Sequence, residues 1–123
     1  MQFRYEVEPQ HLLVVATGPF DAAACRTAMG EIARLCSERE LALVLVDCRA
    51  IREVVSIADR FDLANRVVTA RLPRIAILVT EANATHSRAF ENTALNRGAM
   101  VRTTASEAEA REFLGLALPC TQG

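Results

Sequence analysis

Two periods of apolar and polar residues alternate along the chain. Phe3, Tyr5 and Val7 interleave with Arg4, Glu6 and Glu8, the two-residue repeat of a strand with one wet face. Glu8-Pro9-Gln10 turns the chain into an apolar stretch at 11–17, so an antiparallel hairpin is expected. Gly18-Pro19-Phe20 makes the next turn. Asp21 is then placed to cap a helix in which Cys25, Ala28, Met29, Ile32 and Cys36 recur at i, i+3, i+4, i+7 and i+11, one face of a helix laid on a sheet. LALVLV at 41–46 is continuously apolar, as a central parallel strand covered on both faces requires.

A short charged loop follows Asp47. Ser56 and Asp59 have the spacing of a capping box, with Asp for the usual Glu, and Ile57, Phe61, Ala64 and Val68 supply the buried stripe of a second helix that Leu72-Pro73 ends. RIAILV at 74–79 reads as the next strand. After a polar loop, a third helix is expected from about Thr85 to Arg97, closed by Gly98 in a left-handed conformation. A short strand at 99–103 leads to Ser106 and Glu109, a regular capping box for a last helix through about Leu116. The order ββαβαβαβα predicts a single α/β domain over 1–123, a mostly parallel sheet with an N-terminal antiparallel hairpin and right-handed crossovers.

Composition narrows the chemistry. Just over half of the 123 residues are hydrophobic, about a quarter are charged, and the net charge is −1, a balance that suits a soluble globular domain and argues against general affinity for nucleic acid. The apolar runs are too short for a membrane span and MQFRYEVE lacks a signal-peptide core, so the expected location is cytoplasmic. All 14 basic residues apart from histidine are arginine. Without lysine there is no Walker A loop, Schiff-base amine, kinase-type strand lysine or phospho-accepting receiver site.

Cys25, Cys36, Cys48 and Cys120 form no C-x-x-C pair and keep no zinc-site spacing with His11 or His86, so no metal is expected. Cys25 and Cys36 read as small core residues. Cys48 ends a strand beside Arg49 and Arg52, whose charge favours a thiolate. Yet a phosphatase-type or rhodanese-type loop would carry an arginine where Glu53 or Val54 stands, and the structural role is preferred. His86 and Ser87 are adjacent on a helix and diverge, and no G-x-S-x-G elbow or G-x-G-x-x-G loop is present. Asp47 with Asp59 or Glu53 reads as solvated loop and cap charge. Arg66, Arg71 and Arg74 gather where the second helix ends and complement its dipole. No catalytic residue, cofactor or metal is assigned.

Three stretches carry a family resemblance: GPFD at 18–21, VLVDCR at 44–49 and NRGAMVRTTASEAEAREFL at 96–114. With the element order, they resemble a STAS domain, in particular the SpoIIAA-like branch of the bacterial anti-sigma-factor antagonists. The resemblance spans nearly the whole chain and implies a non-enzymatic regulatory or protein-interaction module. Antagonists of this family are switched by phosphorylation of a serine where the helix after the third strand begins. Laid on Asp47, their Asp-Ser-Ser-Gly falls on Val55, Ser56, Ile57 and Ala58. One position of four matches, and Ile57 takes the place of the phosphorylated serine. Ser56 is therefore expected to be a cap and the switch to be missing; a phosphate on Ser56, favoured by the helix N-terminus and by Arg49 or Arg52, is the alternative.

In open α/β sheets the loops beyond the C-terminal ends of the strands form the binding crevice. Four loops should meet there: Gly18 to Asp21, Cys48 to Ser56, Glu81 to Thr85 and Thr103 to Ser106. The candidate ligand or partner face comprises Phe20, Arg49, Arg52, Ser56, Asn83 and Thr85. Its occupant is expected to be a protein partner, with a second copy of the chain a further candidate, or a small anionic or apolar ligand. The ligand alternative follows from the similar fold of lipid-binding CRAL-TRIO domains.

Overall fold

Alternation along the first two strands decides how the sheet begins. In the structure, a computed structural model that describes residues 1–69, 74–85, 91, 92, 95 and 98–117, β1 (Gln2–Val7) pairs antiparallel with β2 (Leu12–Thr17), Gln2 opposite Thr17 and Val7 opposite Leu12. Glu8 N–H donates to the His11 carbonyl at 2.9 Å and closes the turn. Asp21 caps α1 (Ala22–Arg39), its carboxylate accepting from the N–H groups of Ala23 and Ala24, two of the donors a helix start leaves unpaired. Ala28, Ile32 and Cys36 are buried as their spacing predicts. The helix ends at Glu40, a left-handed residue (φ 54°) whose N–H donates to the carbonyls of Cys36 and Ser37.

The apolar run at 41–46 becomes β3 (Leu43–Asp47), two residues late but in the expected central place. It pairs in parallel with β2, Leu12 opposite Val44, and with β4 (Arg74–Leu78), Val46 opposite Ile77. β5 (Val101–Thr104) pairs in parallel with β4, so the sheet order is β1-β2-β3-β4-β5. α2 (Ile57–Thr69) and α3 (Glu81–Thr85) lie in the connections, and α4 (Glu107–Leu114) follows β5. Strands in sequence order joined by crossovers of one hand place those crossovers on one side. Accordingly Leu12, Val14, Val44, Val46, Ile75 and Val101 form one core with Ile32 and Cys36 of α1 and Ala64 and Val67 of α2. The other face, Leu45, Ala76 and Leu78, packs on Ala110 and Leu114 of α4. β3 thus contributes to both cores, which is why its sequence has no polar alternation.

The α2 stripe is rotated from the one expected. Ala64 faces inward, but Ile57 is 68% exposed and Phe61 42% exposed. Arg60 and Val67 are buried in their place, with Leu63 packed against the core. The expected stripe assumed that an arginine would point to water. Here Arg60 finds backbone and amide acceptors inside, and the turn of the helix follows from that. Gly98 adopts the expected left-handed conformation (φ 93°), its N–H donating to the Leu95 carbonyl at 3.0 Å.

Candidate functional site

Three loops at the C-terminal edge of the sheet are tied together by side chains. Thr80, after β4, starts α3: its hydroxyl accepts from Asn83 N–H at 3.3 Å and its carbonyl from Ala84 N–H at 2.9 Å. The helix therefore begins at Glu81, and Thr85, expected near a helix start, lies a turn into the helix with its hydroxyl donating to the Glu81 carbonyl at 2.9 Å. The segment EANAT lacks an apolar stripe, so it reads as a loop until its cap is seen. This beginning buries Asn83, whose Nδ2 donates to the Glu53 carbonyl at 2.8 Å while its Oδ1 accepts from Val55 N–H at 3.1 Å. The Glu53 carboxylate in turn accepts from Phe20 N–H at 2.6 Å, and that bond holds it below the usual carboxylate range.

Ser56 is exposed and accepts through Oγ from Asp59 N–H at 3.1 Å, while its carbonyl accepts from Arg60 N–H at 2.9 Å. That is the geometry of a helix cap. Val54, Ile57 and Phe61 stand exposed around it. Arg60 donates through Nε to the Val55 carbonyl at 2.8 Å and through Nη2 to Asn83 Oδ1 at 3.5 Å.

Arg49 does not join this group. Its guanidinium forks onto Asp47 (Nε to Oδ1 3.0 Å, Nη2 to Oδ2 2.8 Å) and lies 3.7 Å from Glu107 at the start of α4. The contact with Arg49 holds the Asp47 carboxyl below its ordinary value. Arg52 is exposed. Neither favours a thiolate at Cys48: burial pushes that thiol up to about 12, and desolvation likewise pushes Cys25 to about 11. Arg74, grouped with the end of α2 from sequence, turns to the opposite face, where Nη1 donates to the Phe113 carbonyl at 3.0 Å and the guanidinium lies 5.4 Å from the Phe113 ring centroid. Arg66 pairs with Asp62 within α2. Arg71, His86, Ser87 and Cys120 lie outside the described residues.

Between α1, α2 and the sheet lies a cavity of about 160 Å³. Ile32, Val46, Leu63 and Ile77 line its walls, with Phe20, Cys25, Cys48, Arg60, Asn83 and Thr103 among the other lining residues. The Cys25 thiol donates to the thioether of Met1 at 3.5 Å. Thr103 Oγ1 is buried and has no hydrogen-bond partner among the described residues. Those residues also contain no group of three or more His, Cys, Asp or Glu placed to hold a metal ion, and no helix long and apolar enough to cross a membrane.

Two solved structures share this architecture. One, an anti-sigma factor antagonist from Mycobacterium paratuberculosis, has a TM-score of 0.58 and 13% identity and covers 93% of this chain and 93% of that chain. The other, the anti-sigma factor antagonist SpoIIAA in its unphosphorylated form, has a TM-score of 0.56 and 14% identity and covers 95% of this chain and 100% of that chain. The fold is SpoIIAA-like. No protein-family model and no curated protein matches the sequence.

On this SpoIIAA-like frame the six candidate residues divide. Phe20 and Asn83 reach the cavity wall, Ser56 caps α2 above it, Arg49 belongs to the α4 side, Arg52 is in solvent and Thr85 is spent within its own helix. Sequence reasoning missed Arg60, Thr103, Glu53 and Thr80. Arg60 offers one signal: it stands beside Phe61 on α2, so the helix can bury the aromatic ring or the arginine stem, and only a neutral acceptor cluster selects the second.

Proposed function

We propose that this protein is a non-enzymatic regulatory module that binds a protein partner through the surface around the start of α2, without a phosphorylatable-serine switch. The observation that carries the reading is the exposed trio Val54, Ile57 and Phe61, 55%, 68% and 42% exposed, on a fold shared with two anti-sigma factor antagonists. Three large apolar side chains around one helix start, with a polar rim of Arg52, Ser56 and Ala58 backbone, suit a partner that buries them. The partner is accordingly an anti-sigma-type protein with an apolar docking face. Ser56 serves the helix, since its oxygen already accepts from Asp59 N–H, and Ile57 occupies the position where the resemblance places the phosphorylated serine.

The test uses calorimetric titration of the full chain with the anti-sigma-type proteins encoded in the same genome. Phe61→Asp and Ile57→Asp, both at exposed positions, should weaken the complex by about tenfold or more, whereas Glu112→Arg on α4 should leave it unchanged. Binding that survives both α2 variants, or is lost equally with Glu112→Arg, overturns the assignment of the surface. Stoichiometric phosphate on Ser56 after incubation with such a partner and ATP, seen by intact mass, overturns the absence of the switch. A small-ligand role does not compete with this reading, because Val54, Ile57 and Phe61 are not among the residues that line the cavity.

A further inference from the structure

We propose that the cavity beneath α1 and α2 binds a small apolar carboxylate, a molecule with one compact ring or branched body and one anionic head held by Arg60 and Thr103. The volume, about 160 Å³, is close to that of an enclosed cavity of about 150 Å³ lined by apolar side chains that takes up benzene, and this one is partly open to solvent, which gives a guest a way in. Away from Arg60, Asn83 and Thr103 the lining offers water few of the two to four polar partners that a buried water needs. The Asn83 amide at the wall is already committed to Glu53 and Val55. Thr103 Oγ1 remains, buried and without a partner among the described residues. A single hydroxyl among apolar walls fits one polar atom of an otherwise apolar guest.

Arg60 decides the charge of the head. It is 7% exposed, lies in the first turn of α2 and, among the described residues, donates to two neutral acceptors, the Val55 carbonyl and Asn83 Oδ1. The exposed arginines at 4, 26, 34, 49, 66 and 102 each face a carboxylate within 4.0 Å. The buried one has no such partner among the described residues, and the residues outside that set include no Asp or Glu. A cation near a helix N-terminus is further disfavoured by the dipole, and leaving a buried charge uncompensated is costly. A carboxylate accepts from both a guanidinium and a hydroxyl. Among the lining residues, Cys25 and Cys48 stay protonated thiols; of the carboxylates nearby, Glu53 accepts from Phe20 N–H, and Glu91, which accepts from Thr103 N–H at 2.7 Å, lies 3.7 Å from the Arg102 guanidinium.

The experiment titrates the full chain at neutral pH with phenylacetate, with its neutral near-isostere phenylacetamide and with toluene, followed by heteronuclear NMR. Phenylacetate should bind saturably and about tenfold or more tightly than the amide, the scale of a charge-assisted contact. Arg60→Met should erase that preference while toluene still binds, Thr103→Val should weaken phenylacetate by about fivefold, and Ala28→Leu, which fills the cavity, should weaken all three probes. Equal affinity for acid and amide, a preference that persists in Arg60→Met, or no saturable binding of any probe overturns the proposal. Where a variant does not fold, the acid and amide compared on the unaltered chain decide the head. Intermolecular NOEs to the methyls of Ile32, Val46 and Ile77 decide the place, and NOEs confined to other methyls overturn it. Phe61→Asp should leave all three probes bound, so the partner surface and the cavity are judged separately.

Discussion

Asn83 holds Glu53 by its main chain: Nδ2 donates to the Glu53 carbonyl at 2.8 Å, across 30 residues of sequence. With Oδ1 on Val55 N–H, one amide satisfies both hydrogen-bonding senses of the loop that leads into α2. Removing it leaves a donor and an acceptor without partners in a part-buried place. Asn83→Ala should therefore cost about 2–6 kcal/mol, about 1–3 for each of the two orphaned groups, read from urea unfolding. Asn83→Asp should lose the Glu53 bond and keep the acceptor, giving a smaller loss. Equal stability of wild type and Asn83→Ala would mean that the loop finds other partners.

Ser56 and Ser106 perform the same task at two helices, accepting from Asp59 N–H at 3.1 Å and Glu109 N–H at 3.2 Å. Each serine replaced by alanine should cost about 0.5–2 kcal/mol, and replaced by glycine only a few tenths. Thermal unfolding of the four variants checks this, the alanine variants melting below the glycine ones at both positions.

Glu40 is the non-glycine residue with positive φ (54°) among the described residues. A side chain there keeps Cβ too close to a carbonyl oxygen, at a cost of about 1–2 kcal/mol for an L-residue. Glu40 is exposed, so its side chain has little packing to lose. Glu40→Gly should raise the denaturation midpoint by the equivalent of about 0.5–1 kcal/mol, part of the relief being returned as unfolded-state entropy.

Cys48 titrates against the fold. Its thiol is pushed from 9.0 up to about 12 by burial, so above pH 9 the unfolded chain gives up a proton that the folded chain retains. The number of protons bound is then larger in the native state, and stability falls as pH rises. The contribution is complete below about pH 9 and is lost progressively as pH approaches about 12. Urea midpoints measured at steps from pH 8 to 11 should fall more steeply for wild type than for Cys48→Ala. Alkylation of Cys48 by iodoacetamide at pH 8 should likewise be slow until denaturant is added.

The elements that could be read in the sequence are those whose pattern is enforced from both sides. LALVLV had to be a central strand because neither of its faces meets water, and Asp21, Ser56 and Ser106 had to lie at helix starts because their oxygens satisfy N–H groups that nothing else reaches. Thr85 was misplaced for the complementary reason: EANAT takes its helical start from Thr80, a residue that also reads well as the last of a strand. Hydrophobicity, the strongest signal on an amphipathic helix, points Ile57 and Phe61 to the core. The structure buries Arg60 instead, since the Val55 carbonyl and Asn83 meet it there, and such acceptors come from segments distant in sequence. Three of the four loops expected at one edge are tied together, through Glu53 and Asn83 rather than through Arg49, whose nearest acid is its own neighbour Asp47. Side-chain pairing over two residues is invisible to helical or strand periodicity.

The strand order β1-β2-β3-β4-β5 also governs how the chain can assemble. Each strand leaves its predecessor's free edge and becomes the new edge, so none has to be inserted between two partners already joined. A chain emerging from the ribosome with its N-terminus first can dock the hairpin, then α1 with β3, then α2 with β4, adding one unit at a time to an open template. The loop to be closed at each step is one crossover long, which keeps the entropic cost of every addition nearly the same. α4 follows β5 and covers the face of β3 and β4 opposite α1 and α2, so a nascent chain exposes that apolar face until α4 arrives.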